Sequence, residues 1–123
     1  MKEIIAIIRP KKMGATKEAL DKLGFPCLTA VPVLGRGKQQ GLAGEIGTEI
    51  NPRVLEQGKF RKMKYIPKRM ISLVVPSASV DAVINAIVAV NRTEQIGDGR
   101  IFICPVEDAM RVRTDEHGES AIL

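Results

Sequence analysis

Apolar and polar positions follow two periodicities along the first third of the chain, and together they predict a strand, a helix and a second strand. Residues 2–8 form a short isoleucine-rich run bounded by charged residues, which is typical of a strand buried on both faces. Residues 13–23 place apolar side chains near one helical face and stop at Gly24, a residue type that commonly ends helices. Residues 27–34 predict a second strand, with Pro32 where no backbone donor is required.

The second half of the chain repeats this order. An apolar run at 68–75 predicts a third strand that ends before Pro76. Apolar residues then recur at helical spacing over 80–88, after serines able to cap a helix, and predict the second helix. Residues 101–106 predict a fourth strand, and residues 109–114 a short fifth strand.

This order of elements predicts a single α+β domain over residues 1–123 with a ferredoxin-like fold. In such a fold two βαβ halves form a four-stranded antiparallel sheet, and two helices cover one of its faces. The predicted strands are apolar on both sides, so the uncovered face needs a partner. We therefore expect an oligomer whose subunits bury that face.

A long connection separates the two halves. Residues 35–66 lack sustained apolar periodicity and contain six of the eleven glycines. Irregular connections longer than about 12 to 15 residues are uncommon in compact domains and are usually functional or disordered. We therefore predict a long functional loop at about 36–66, with one short helix near 54–57.

The composition narrows the class of partner without naming it. The formal net charge of +5 favours an anionic partner: nucleic acid, an acidic protein surface or a phosphorylated small molecule. Cys27 and Cys104 lie far apart and lack metal-ligand spacing, so we interpret both as buried small hydrophobic residues. His117 is the single histidine and lies in a polar segment, which argues against a metal site or histidine catalysis. No apolar run has the length of a signal-peptide core or a membrane span, so we expect a cytoplasmic protein.

Three motifs have the chemistry of an anion site, although each has a simpler interpretation. The GDGR motif at 97–100 can present backbone N–H groups to a phosphate, or form an ordinary turn. The GRGKQQG stretch at 35–41 can cradle a phosphate or act as a hinge, but it lacks the P-loop ending. Arg111 and Arg113 are two residues apart on a predicted strand, which places both side chains on one face with their Cα atoms about 6.5 Å apart. This face could bind a phosphate or simply be solvated. With Arg100 the two arginines could converge on one anion.

The basic run at 59–69 contains Phe60 and Tyr65 among lysines and arginines, a pattern that suits single-stranded nucleic acid or simply a solvated loop. No nucleophile, base and orienting residue form a recognisable set, so the sequence does not predict an enzyme. A nucleic-acid-binding ferredoxin-like module stays open as an alternative function. An enzyme acting on a phosphorylated substrate ranks last.

Taken together, the motifs resemble those of the PII nitrogen-regulatory family over nearly the whole chain. The matching stretches are KEIIAIIRPKK, LGRGKQQG, YIPKRMISLVVP, TEQIGDGRIFICPVE and MRVRT. The resemblance implies a non-enzymatic signal protein with a ferredoxin-like fold, assembled as a trimer, that holds ATP or ADP between neighbouring subunits. It also implies that the long loop, called the T-loop in this family, controls a target protein.

The resemblance further assigns binding residues position by position. Gln39 and Lys68 match the residues that hold 2-oxoglutarate beside a magnesium ion bound to ATP, with Gln39 at the metal. Thr29 would line the adenine. The complete nucleotide site would comprise Thr29, Gly35, Gly37, Lys38, Gly97, Asp98, Gly99, Arg100, Arg111 and Arg113.

The chain also departs from the common members of that family. Lys38 stands where they usually carry arginine, which keeps the charge but loses bidentate phosphate geometry. The loop is longer than theirs, and its modifiable tyrosine is missing, because the single tyrosine lies at the base of the loop. These features are more similar to the nitrogenase-associated NifI-type branch, whose members work as pairs of related subunits.

The expected partners follow from this resemblance. We expect a homotrimer, or a hetero-oligomer with a related PII-type subunit, that acts on nitrogenase. A regulator of an ammonium transporter is the alternative within the family. Neither nucleic-acid binding nor membrane insertion is expected.

Overall fold

The computed structural model describes residues 1–37 and 65–123. The predictions for Lys38, Gln39, the short helix near 54–57 and most of the long loop lie outside these ranges. The strands are β1 (Lys2–Ile8), β2 (Thr29–Arg36), β3 (Tyr65–Val75) and β4 (Arg100–Pro105). The helices are α1 (Met13–Lys22) and α2 (Val80–Asn91), accompanied by 3₁₀ turns at Pro10–Lys12, Ser77–Ser79 and Gly118–Ala121.

The four strands form one antiparallel sheet in the order β2-β3-β1-β4. Each helix connects two parallel strands that have a third, antiparallel strand between them, which is the split βαβ arrangement. The predicted ferredoxin-like α+β fold is therefore confirmed. β3 begins three residues before its predicted start because it pairs along the whole of β2, as far as Tyr65 opposite Arg36.

Local sequence signals explain where α1 begins and ends. Pro10 opens the 3₁₀ turn that leads into the helix, a position where its missing N–H costs nothing. Gly24 ends the helix as predicted, with a φ of 89° that other residues seldom adopt. The N–H of Phe25 then donates to the carbonyl of Leu20 at 3.0 Å, which closes the last turn. In the described ranges, neither α1 nor α2 is long and apolar enough to cross a membrane.

The core lies between the helices and one face of the sheet. Alternate residues of β1 and β3, among them Ile4, Ala6 and Ile71, are completely buried. Leu20 of α1 and Val83 of α2 cover them and are also completely buried. The core is therefore built from aliphatic side chains, as the low aromatic content of 3% requires.

A buried hydrogen bond joins the two helices. The side-chain amide of Asn91 donates to the Thr16 hydroxyl at 2.9 Å, and this hydroxyl donates to the Lys12 carbonyl at 2.7 Å. Both Asn91 and Thr16 are buried. Because an unpaired polar group would be costly in this position, these bonds favour one position of α1 relative to α2.

The opposite face of the sheet also carries apolar side chains. The register places Ile5 beside Phe102 and Ile7 beside Met70. Phe102 remains 46% exposed, and the other three are only partly buried. The strands are therefore apolar on both faces, as expected, and the subunit that would cover this face stays a prediction.

Two predictions are wrong. Residues 109–114 do not form a fifth strand: a single β-bridge joins Met110 to His117, and the chain reverses between them. Cys27 and Cys104 are not buried but exposed and partly exposed, and both are free thiols. Cys27 lies in the connection before β2, and Cys104 lies on an edge strand, so neither reaches the core.

Substitution of Leu20 by Ala should lower the free energy of unfolding by about 2 to 5 kcal/mol, because the lost side chain leaves a cavity in the core. Leu23 is 42% exposed, so Leu23→Ala is the matched control and should cost about 1 kcal/mol or less. Urea denaturation at one protein concentration, followed by circular dichroism, measures both. Equal losses would contradict the packing of α1 described above.

Candidate functional site

The turn between α2 and β4 contains the GDGR motif, and both of its glycines adopt backbone angles that favour glycine. The φ angles are 101° at Gly97 and 111° at Gly99. A Cβ atom on Gly99 would lie 1.9 Å from the carbonyl oxygen of Ile7. The turn therefore packs its backbone directly against the end of β1, which constrains it more than an ordinary turn.

Asp98 directs its carboxylate into this turn. Oδ2 accepts hydrogen bonds from the backbone N–H groups of Thr93 at 2.7 Å and Glu94 at 2.9 Å. Oδ1 accepts hydrogen bonds from the Thr93 hydroxyl and from Arg9 Nη1, the latter at 2.6 Å. Burial by itself would raise the pKa of Asp98, but the hydrogen bonds from Thr93, Arg9 and Glu94 together hold it well below its usual range. The carboxylate of Asp98 therefore stabilises the turn itself. Its contact with a nucleotide stays a prediction.

Arg9 is the residue that sequence reasoning missed. It follows β1 directly and is only 4% exposed. Besides its ion pair with Asp98, its Nη2 donates to the Ile96 carbonyl at 3.0 Å. One signal could have found it: a charged residue at the end of a fully buried strand needs a partner nearby.

Lys68 reaches the same turn from β3. It is 7% exposed, and its Nζ donates to the Gly97 carbonyl at 2.8 Å. A Cβ atom on Gly35 would lie 3.3 Å from Cγ of Lys68, so this glycine of β2 leaves room for the lysine stem. Residues from β2, β3 and the turn therefore meet along one buried lysine side chain.

These contacts gather the first group of predicted site residues at one end of the sheet. Arg100 begins β4 there, opposite Ile7 of β1. At the neighbouring base of the long loop, the Arg36 guanidinium lies 6.0 Å from the centre of the Tyr65 ring, within reach of a cation–π interaction. We call this first group the turn group; it comprises Gly35, Gly37, Lys68, Gly97, Asp98, Gly99 and Arg100.

The other predicted residues within the described ranges, Thr29, Arg111 and Arg113, form a second group, which we call the distal group. Thr29 begins β2, six residues and about 20 Å from Gly35 along the strand. β4 ends at Pro105, opposite Lys2, so the segment with both arginines leaves the sheet at the end away from the GDGR turn. Among the described residues, no hydrogen bond joins residues 106–123 to the turn residues 93–100. The predicted site is therefore divided within one chain.

The two arginines of the distal group do not share a strand face. The backbone N–H of Arg111 donates to the Glu116 carbonyl at 2.9 Å, which closes a turn over 112–115. Arg113 lies in that turn and is exposed. The prediction from strand periodicity was wrong because the chain reverses one residue after Arg111.

No group of three or more His, Cys, Asp or Glu side chains within 1–37 and 65–123 is arranged to hold a metal ion. Gln39, predicted at the magnesium ion, lies outside those ranges. A cavity of about 390 Å³ does lie beside the turn. Aliphatic residues of β1, α2 and β4 line it, together with Gly99 and the polar residues Asn91, Arg92, Asp98 and Arg100.

Comparison with known proteins decides the family. The family model for nitrogen regulatory protein P-II matches residues 1–116. The chain belongs to this PII family. Its members are regulatory signal proteins that act on target proteins, so the expectation of a signal protein rather than an enzyme is confirmed.

Individual PII relatives are similar along their full length. The chain is 57% identical over 123 residues to a nitrogen fixation nifHD region GlnB-like protein 2 of Methanobacterium ivanovii, with both chains fully covered. It is 51% identical to a nifHD1 region GlnB-like protein 2 of Methanosarcina barkeri, with 99% of each chain covered. A nitrogen regulatory protein P-II of Rhodobacter capsulatus is 42% identical over 99% of this chain and all of its own. The predicted resemblance to the nitrogenase-associated branch is confirmed.

Replacement of Asp98 by Asn should lower the free energy of unfolding by about 1 to 3 kcal/mol at pH 7, because Arg9 loses its charged partner. The folded-state pKa of Asp98 is depressed, so its stabilising effect is complete above the ordinary value of 3.8 and decreases as the pH falls below it. The difference between wild type and variant should therefore shrink as the pH is lowered from 5 to 3.

Urea denaturation across this pH range measures the effect. Asp21→Asn, an exposed aspartate of α1, is the control for loss of one negative charge. A difference between wild type and Asp98→Asn that stays constant down to pH 3, or that matches the control at pH 7, would contradict the role of this carboxylate.

Proposed function

We propose that this PII-family protein binds ATP or ADP, together with 2-oxoglutarate, between neighbouring copies of the chain and controls a target protein through its long loop. The observation that carries the proposal is the division of the predicted site into the turn group and the distal group. A second copy that brings its Arg111 and Arg113 to the first copy's turn would place three guanidinium groups, including that of Arg100, around one polyphosphate.

The turn group suits a phosphate chemically. Gly97 and Gly99 place no side chain between the backbone and a ligand, which is how glycine-rich turns bind anions. The negative charge of Asp98 is paired with Arg9 inside the turn, so it opposes a phosphate less than an unpaired carboxylate would. Thr29 would approach the adenine from the distal group, and Lys38 would add a further cation.

The buried ammonium group of Lys68 suits one carboxylate of 2-oxoglutarate. A carboxylate at this position would accept a charge-assisted hydrogen bond from the same Nζ that now donates to Gly97. The oxo-acid end would bind magnesium, a hard cation that prefers oxygen ligands and retains contacts to substrate phosphates. Gln39 and the ATP phosphates would supply further ligands to that magnesium ion.

The apolar outer face of the sheet supports the assembly that this site requires. Phe102, Ile5 and Ile7 would be buried by a second subunit, and the apolar area removed from water would stabilise the contact. We propose a homotrimer, or a hetero-oligomer with a related PII-type subunit. Either assembly closes each site with residues from two chains.

The relatives named after the nitrogen fixation nifHD region support nitrogenase as the target, in preference to an ammonium transporter. The long loop would be the contact surface. The nucleic-acid alternative loses support, because Lys68 of the basic run lies buried against the GDGR turn and is not part of an exposed basic surface.

Calorimetric titration with ATP, ADP, magnesium and 2-oxoglutarate tests the ligands. Wild-type protein should bind both nucleotides and should bind 2-oxoglutarate only with magnesium and ATP. Lys68→Ala should abolish the response to 2-oxoglutarate, because the carboxylate loses its cation. ADP affinity should be nearly unchanged, because the ion pair of Arg9 with Asp98 still holds the GDGR turn. Lys17→Ala, an exposed lysine of α1, is the matched control. Equal loss of both ligands in Lys68→Ala would contradict the division of roles.

The same variants test the target. Purified nitrogenase should be retained on the immobilised protein to an extent that depends on 2-oxoglutarate for wild type and Lys17→Ala, but not for Lys68→Ala. Retention that does not respond to 2-oxoglutarate in wild type would contradict ligand control of this target.

A further inference from the structure

The segment after β4 folds back on itself and is held largely by polar contacts. The bridge between Met110 and His117 pairs its two arms, and the Gly118 N–H donates to the Ala109 carbonyl at 3.0 Å. Asp108 ties the base of this hairpin: its Oδ1 accepts the N–H groups of Ala109 at 2.8 Å and Gly118 at 3.0 Å. These bonds hold residues 108–118 as one local unit.

Arg111 connects that unit to the residues beyond it. Its Nη1 forms an ion pair with Oε1 of Glu116 at 3.0 Å. Its Nη2 donates to the backbone oxygen of Ser120 at 3.0 Å and to that of Leu123 at 2.6 Å. Two guanidinium nitrogens thus bind three oxygens, among them a carboxylate oxygen of Glu116, which is the kind of acceptor set that a phosphate offers.

We infer that residues 116–123 form a latch that occupies the phosphate-binding side of Arg111 and is displaced when a nucleotide phosphate binds there. The inference rests on the proposed function, which assigns Arg111 to the phosphates. Arg113 makes no such contacts among the described residues and is exposed. An anion could therefore bind Arg113 directly, whereas Arg111 must first release its present hydrogen-bond acceptors.

The energetics allow this exchange. The distal part of the latch buries little apolar surface, since Leu123 is 75% exposed, and nearby Val112 of the hairpin is 90% exposed. The Glu116 side chain is 41% exposed, so its ion pair with Arg111 is screened by water and worth little. A polyphosphate carries several negative charges and several acceptor oxygens, and can therefore replace these three acceptors. The bonds of Asp108 do not involve Arg111 and would keep the hairpin in place.

Two measurable consequences follow from competition for one side chain. Weakening the latch should raise nucleotide affinity, and nucleotide binding should release the latch, because the coupling between two binding equilibria is reciprocal. The position of residues 119–123 would then report whether phosphate is bound at Arg111.

Glu116→Gln removes the carboxylate that is paired with Arg111 and should raise the affinity for ATP about two- to fivefold, the factor that corresponds to a partly exposed ion pair. Glu119→Gln removes the same charge from the same segment, but no contact joins the Glu119 side chain to Arg111 among the described residues. This control should change ATP affinity less. Calorimetric titration of wild type and both variants gives the comparison.

A second measurement needs no variant. NMR relaxation of the backbone amides of residues 119–123 in wild-type protein should show greater mobility at saturating ATP than without nucleotide, while residues 108–110 stay ordered. If ATP binds but Glu116→Gln and Glu119→Gln have equal affinities, or if residues 119–123 keep their order, the latch is wrong and the nucleotide site survives. If wild-type protein and both variants bind no ATP, the proposed function fails and the latch with it.

Discussion

The ion pair between Arg9 and Asp98 holds the turn before β4 against the end of β1, and the geometry of the candidate site depends on it. Arg9 is almost completely buried, and a charge in that position is costly unless it is paired and hydrogen-bonded. Asp98 meets that requirement while its second oxygen fixes the backbone N–H groups of Thr93 and Glu94. The pair therefore fixes the backbone of Gly97, whose carbonyl accepts a hydrogen bond from Lys68.

This anchoring joins the two bases of the long loop to the same turn. Gly35, near the end of β2, makes room for Lys68, near the start of β3, and Lys68 contacts the turn. A ligand that replaces or adds a partner at Lys68 acts on the strands from which the loop departs. Under the proposed function, such a ligand would shift the loop between conformations only by as much as its affinity differs between them. The loop would then transmit that shift to the target.

Much of the fold could be predicted because its signals are local. The isoleucine run of β1, the helical periodicity of α2 and the glycine that ends α1 each indicate an element from neighbouring residues alone. The GDGR turn could be predicted in the same way, because closely spaced glycines indicate a turn in the sequence. The sequence could also indicate that the sheet is apolar on both faces.

The remaining features depend on contacts that local patterns do not reveal. Arg9 lies 89 residues from Asp98 in sequence, so the residues around Arg9 do not indicate that Asp98 is its ion-pair partner. The alternation around Arg111 is typical of a strand, but the chain reverses at 112–115, and Asp115 adopts a positive φ of 60°. The division of the site between two ends of the sheet follows only from strand order and register. That division is the strongest structural reason for a second copy.

The most direct test of this account combines two defective copies. Arg100→Ala damages the turn group, and Arg111→Ala with Arg113→Ala damages the distal group; each should weaken ATP binding by about 1.5 to 3 kcal/mol per lost contact. Unfolded together and refolded, the two variants should form mixed assemblies in which some sites combine two intact groups. Tight ATP binding should then return to a fraction of the sites, and variants refolded separately should not regain it. If wild type binds ATP tightly but the mixed assemblies do not, the site is not shared between copies.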